Sequence, residues 1–168
     1  MPESWNYHLL EVATIVNLFG AAAPSSSTAE RFSMKGFERA AIIICQNKSA
    51  GNGSVIAMNQ STDVAGTGAK ALAFTKAFRS LANGTQAAPV NTWASFTVAA
   101  NTFTTDATNS VRDMYMIDVK REDLDFKNDF DCVELTIGNA ASNVIQAIAV
   151  LLGARFGGFP TVDTGIAN

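Results

Sequence analysis

Charge is scarce in this chain. Of its 168 residues only 16% are Asp, Glu, Lys or Arg, and these balance to −3. A protein that binds nucleic acid needs a clustered basic face to displace counterions from phosphates, so no nucleic-acid partner is expected. Histidine occurs once, as His8, which leaves almost no raw material for a hydrolase triad or a histidine-ligated zinc site. Two cysteines, Cys45 and Cys132, are too few for a secreted, disulfide-built scaffold. Both fall in expected strands, either as buried free thiols or as a strand-to-strand disulfide. No apolar run reaches the roughly eighteen residues of a membrane-spanning helix, so no membrane partner is expected. A secretory leader is not expected either. Ala21-Ala22-Ala23 looks like a cleavage site, but no Lys or Arg precedes it, and Glu11, Thr14 and Asn17 interrupt the apolar core.

What the chain has in quantity is apolar and small residues, with 48% hydrophobic. Its length suits one domain able to bury a core. Surfaces short of charge are common where a protein packs against other proteins. The stretch 130–156 organises the reading. Val133, Leu135 and Ile137 alternate with Glu134 and Thr136, the period of a strand with one buried face. Gly138 to Ser142 supplies turn residues. The run from Asn143 to Leu152 is apolar on both faces apart from Gln146, which suits a central strand covered on both sides; its β-branched residues favour strand over buried helix. The two strands are expected to form a hairpin in the middle of a β-sandwich.

Upstream, Leu9, Val12, Ile15, Val16 and Phe19 fit one helical face, although the same stretch reads equally as an extended arm. Pro24 to Thr28 has the composition of a linker. From Phe37 onwards strand patterns follow one another: 39–45 and 54–60 about a Gly-rich hairpin loop, 69–76, one or two short strands within 92–103, and 111–119. Residues 81–91 read as a long loop. Residues 120–128 are a charged connection with a helical turn around Asp123-Leu124-Asp125. Seven or eight short strands, with no convincing helix after residue 36, predict an all-β antiparallel sandwich, jelly-roll-like, with an N-terminal arm. The boundaries are 1–35 for arm and linker, 36–156 for the sandwich, and 157–168 for a C-terminal tail.

The motifs that hint at chemistry are weak. Gly66-Thr67-Gly68-Ala69-Lys70 lacks both the glycine spacing and the metal-binding hydroxyl of a phosphate loop, and reads as a hairpin loop. Asp123 and Asp125 have the alternate spacing of calcium ligands, but Lys127 stands where a third would be and no glycine follows. A solvated turn balanced by Lys120, Arg121 and Lys127 is expected. Sequons at Asn47, Asn59 and Asn83 mean little without a secretory route. Trp93 and Tyr115 suit either sugar stacking or a sandwich core, with the core expected. No catalytic residue, metal or cofactor is expected.

Several segments carry a family resemblance: Ser33-Met-Lys-Gly-Phe-Glu-Arg-Ala40 leading into Ile42-Ile43-Ile44, then Gly68-Ala-Lys-Ala-Leu-Ala-Phe-Thr-Lys76, then Asp129-Phe-Asp-Cys-Val133. The chain resembles, over roughly residues 9 to 156, the capsid cement or decoration proteins of tailed bacteriophages. That resemblance implies a sandwich or jelly-roll module on the capsid exterior of the virion, made in the host cytoplasm, bound to the major capsid protein and usually a homotrimer. It brings no catalytic residues. The residues expected to adhere are the apolar arm positions Trp5, Tyr7, Leu9, Leu10, Val12, Ile15, Val16 and Phe19, with Phe156 and Phe159 as a second patch. Removing residues 1–24 is expected to leave the sandwich folded and to abolish capsid binding. The alternatives are a tail or head-tail joining protein, and a carbohydrate- or host-binding module.

Overall fold

The computed structural model describes residues 13–23, 28–48, 53–83, 92–107, 110–138, 143–154 and 164. Within them the chain is an antiparallel β-sandwich of two sheets. The wide sheet has six strands: β1 (Ala13–Ala22), β3 (Arg39–Lys48), β6 (Lys76–Asn83), β7 (Ala94–Thr97), β9 (Ser110–Lys120) and β11 (Asn143–Leu152). Their order is β1-β11-β3-β9-β6-β7. The narrow sheet has β2 (Thr28–Ser33), β4 (Val55–Ser61), β5 (Lys70–Ala71), β8 (Thr102–Thr104) and β10 (Cys132–Ile137). It runs β2-β10-β4-β5, and β8 also pairs with β4. Two short 3-10 turns, Arg121–Asp123 and Phe126–Asn128, join β9 to β10.

Directly opposed residues of an antiparallel pair share a face, so the register fixes which side chains meet. Val16, Ala149, Ile42 and Ile117 lie in one inward row of the wide sheet. Across from them the narrow sheet turns in Phe32 with Val133, Leu135 with Met58, and Ile137 with Ile56. All of these are buried. An aromatic group ties the layers together: Phe96 of β7 meets Phe103 of β8 edge-on at 5.3 Å, and Phe103 lies 5.5 Å from Tyr115 of β9. The Tyr115 hydroxyl accepts from the Asp106 amide at 2.8 Å, so its polar end is satisfied inside the core.

Most strands fall close to where the alternating patterns put them, but the expected strand 69–76 is only Lys70–Ala71, with β6 starting at Lys76, and several connections differ. β10 and β11 are not a hairpin: β10 lies between β2 and β4 in one sheet, β11 between β1 and β3 in the other. The same holds for β3 and β4. A turn-rich loop can reverse the chain within a sheet or carry it across the core to the other, and both choices bury the same apolar face. Local periodicity does not separate them. The segment expected to be arm and linker also enters the fold. Residues 13–22 are β1 and 28–33 are β2, with Val16 and Leu18 in the core. The helical spacing was a coincidence of β-branched residues that alternate in and out. Cutting at residue 24 therefore removes an edge strand and two core side chains, and the body cannot be expected to stay folded without them. Leu81 to Asn83 continue β6 rather than starting a loop, and the helical turn around 123–125 is replaced by the two 3-10 turns on either side of Leu124. Within the expected tail, Thr164 forms a bridge to Phe32 of β2.

Truncating a fully buried side chain should cost far more than truncating an outward one. Leu135→Ala is expected to lose about 2–5 kcal/mol of stability in urea unfolding. Val144→Ala, at a side chain 43% exposed, is expected to stay within about 0.5 kcal/mol. Equal losses would contradict the assignment of inner and outer faces.

Candidate interaction surface

The outer faces of the two sheets differ in kind. On the narrow sheet, Arg31, Glu134 and Asn59 lie side by side on β2, β10 and β4. Arg31 Nε donates to Glu134 Oε2 at 2.5 Å, and Asn59 Nδ2 donates to Oε1 at 2.7 Å. Thr136 Oγ1 reaches the same oxygen at 3.4 Å. The Glu134 side chain is thus buried, at 7% exposed, yet well supplied with donors. The loop from Thr62 to Gly68 closes over this row. Gly66 has φ +89°, a conformation that favours glycine, and it lies against the Arg31 guanidinium. This face is polar and internally satisfied.

The outer face of the wide sheet is apolar. One row runs Asn17, Ile148, Ile43, Met116, Phe78 across β1, β11, β3, β9 and β6. A second runs Ile15, Val150, Ala41, Asp118, and a third Gln146, Cys45, Met114. A fourth row, at the polar end, is Val144, Asn47 and Arg112, all exposed. Ile15, Met114 and Val144 are each about two-fifths exposed, at 41%, 40% and 43%; Ile43, Ile148, Val150 and Met116 are partly exposed. Charge lies towards the ends of the strands: Arg112 and Lys76 are exposed there, and Arg39 grips Asp118 through two bonds of 2.5 and 2.6 Å.

Of the residues expected to adhere, the structure brings Ile15 to this face. Val16 is buried against the core and Phe19 packs partly beneath it, so these two are structural rather than exposed. Trp5, Tyr7, Leu9, Leu10, Val12, Phe156 and Phe159 lie outside the described residues, as does His8. The central part of the surface, Ile43, Ile148 and Met116, was not foreseen as a contact site. Its signal was present in the two-faced apolar runs of β3 and β11, which were read as strands covered on both sides.

Other groups are committed elsewhere. Cys45 and Cys132 are both free thiols, the first exposed and the second buried, which excludes the strand-to-strand disulfide. Burial, reinforced by Asp131, pushes the Cys132 thiol up to about 12, and burial raises that of Cys45 too. A nucleophilic cysteine needs the opposite shift. A cleft of about 320 Å³ is lined by Leu72, Phe74, Val119, Lys76, Asp118 and Asp123. Its carboxylates are engaged, Asp118 with Arg39 and Asp123 with the Lys120 amide at 2.8 Å. In the acidic connection, Asp125 accepts from Lys70 at 2.6 Å and from Asn128 at 2.8 Å, which holds it below the usual carboxylate range. Of the cations expected to balance this turn, Lys120 pairs with Glu122 at 3.1 Å, while Asp125 takes its closest cation from Lys70 of β5. Among the described residues no group of three or more His, Cys, Asp or Glu is placed to hold a metal ion. Tyr115 is buried as foreseen, whereas Trp93 is 41% exposed rather than part of the core. No protein-family model matches the chain, and no curated protein matches it either.

Removing the cation from the row on the narrow sheet leaves a covered carboxylate with fewer donors. Arg31→Met is expected to destabilise the fold by about 3 kcal/mol, and adding Glu134→Leu should recover part of that loss. Chemical denaturation of the single and double variants reads both. A double variant less stable than Arg31→Met alone would refute the account of this pair.

Proposed function

We propose that this protein is a non-enzymatic structural protein of a bacteriophage virion that adheres to the outside of the head and stabilises the capsid lattice. The observation that carries the reading is the broad apolar outer face of the wide sheet on a body that is otherwise short of charge. A sandwich needs only one apolar face per sheet to fold. A second apolar face adds nothing to the core and has a use when another protein covers it. The resemblance to capsid cement proteins supplies the identity of the shell, and the major capsid protein as partner.

The mechanism is mass action. A ligand that binds the assembled shell and not its free subunits stabilises the shell by its binding free energy. Self-association multiplies the effect, because docking of one copy raises the effective concentration of its tethered partners; the trimer that the resemblance implies is one form of it. The terminal segments, with Trp5, Tyr7, Leu9, Leu10 and Val12 at one end and Phe156 and Phe159 at the other, are the proposed contacts with the capsid.

A second reading has Trp93 behind it. An exposed indole is a platform on which a sugar ring stacks, so a carbohydrate- or host-binding module is the alternative. Loss of signal on a glycan array in Trp93→Ala, with capsid binding absent in both proteins, would favour it.

The informative truncation removes residues 1–12 and leaves β1 (Ala13–Ala22) whole. This variant is expected to keep its thermal midpoint within a few degrees, and to lose at least tenfold in co-sedimentation with capsids. Undiminished occupancy would count against the terminal contact.

A further inference from the structure

We infer that two copies of this chain pair face to face through the outer surface of the wide sheet, with the Cys45 side chains close to the two-fold axis. The inference rests on the reading of the protein as an adhesive body, though not on the identity of the shell. The apolar field is centred on β3, the third of six strands, at Ile43. It reaches Ile15 on one side and Phe78 on the other. Strands of about ten residues at ~3.3 Å per residue, four or five of them ~4.8 Å apart, give a face of about 600–800 Å². Stable protein interfaces bury about 800 Å² on each partner. A pairing of that size uses the whole face, its polar strand ends included.

The choice of occupant follows from symmetry. In an isologous pair the same patch is used twice, so both apolar faces are covered at once. A head-to-tail ring would have to set this face against some other part of the neighbouring copy. The opposite broad face carries the Arg31, Glu134 and Asn59 row, already satisfied and polar, and makes a poor seat for Ile43, Ile148 and Met116. Charge is confined to the margins, where Arg39 and Asp118 neutralise one another and Arg112 and Lys76 are exposed. Two twisted sheets stack about 10 Å apart with their strands some 30° off alignment, which is how the two layers of this sandwich itself meet. The flat outer side chains of Ile, Val, Met and Ala suit a second such layer. Cys45 follows Ile43 on the same face, so the pairing covers the two Cys45 thiols and brings them together.

The experiment uses the full-length protein at tens of micromolar. Light scattering is expected to give twice the chain mass of 17.7 kDa. A double variant, Met114→Lys with Val144→Lys, changes two exposed side chains on the face and is expected to give the single-chain mass with an unaltered circular dichroism spectrum. Oxidation with diamide, which takes up the two electrons and two protons, should join wild-type chains in pairs by a Cys45–Cys45 disulfide, and not the Cys45→Ser variant, because Cys132 is buried. A wild-type protein that runs as a monomer or as a trimer overturns the pairing, as does absence of the Cys45 cross-link or a dimer that persists in the folded double variant. Capsid co-sedimentation of the same samples separates the two ideas. A dimer that ignores capsids sinks the shell assignment alone, whereas a monomer that binds them sinks the pairing alone.

Discussion

A two-layer sandwich has four sheet faces and one core, and only the two inner faces share it. The rest of this structure depends on that constraint. The inner faces are filled by β-branched and aromatic side chains from strands that alternate between the layers, so neither sheet can form its buried surface without the other. The chain crosses the core at nearly every connection, placing β1, β3, β6, β9 and β11 in one layer and β2, β4, β8 and β10 in the other. Such long-range pairing ties the stability of each strand to the whole.

The outer faces meet the remaining requirement in opposite ways. The narrow sheet has its own solution, in which a charged row is covered by a loop and every carboxylate oxygen of Glu134 has a donor. Covering a charge is costly unless it is paired and hydrogen-bonded, and here it is both. The wide sheet is not completed in this way. The middle of its outer face carries Ile43, Ile148, Val150 and Met116, each partly exposed among the described residues. The asymmetry between the two faces, rather than any cluster of reactive groups, is the feature of the molecule that points to a partner.

Much of this was legible in the sequence. The alternation of Val133, Leu135 and Ile137 with Glu134 and Thr136 marked β10 and its two faces correctly, and the β-branched runs of β3 and β11 marked central strands. What could not be read was which strands pair. Gly-rich loops after β3 and β10 look like hairpin turns, yet each leads to the other sheet, because partner choice depends on contacts a hundred residues apart, such as Arg31 with Glu134. The N-terminal strand was hidden for a related reason. Ile15, Val16 and Phe19 fit a helical stripe as well as they fit β1, and only the presence of β11 beside them decides between the two. Of the contact residues proposed from the sequence, Ile15 reaches the surface while Val16 serves the core. The larger apolar field was visible only as an apparent contradiction, strands apolar on both sides in a domain with a single core.

That contradiction has a physical resolution. An apolar run suits a strand buried on both faces whether the second cover comes from the same chain or from another one. In β3 the first cover is the narrow sheet, through Ile42 and Ile44. The residues between them, Ala41, Ile43 and Cys45, obey the same rule one layer further out. A sequence records the requirement for burial without recording who meets it. If the second layer is supplied by another copy, the core and the interface are one kind of structure repeated, and the protein's adhesive character follows from the same side-chain alternation that folds it.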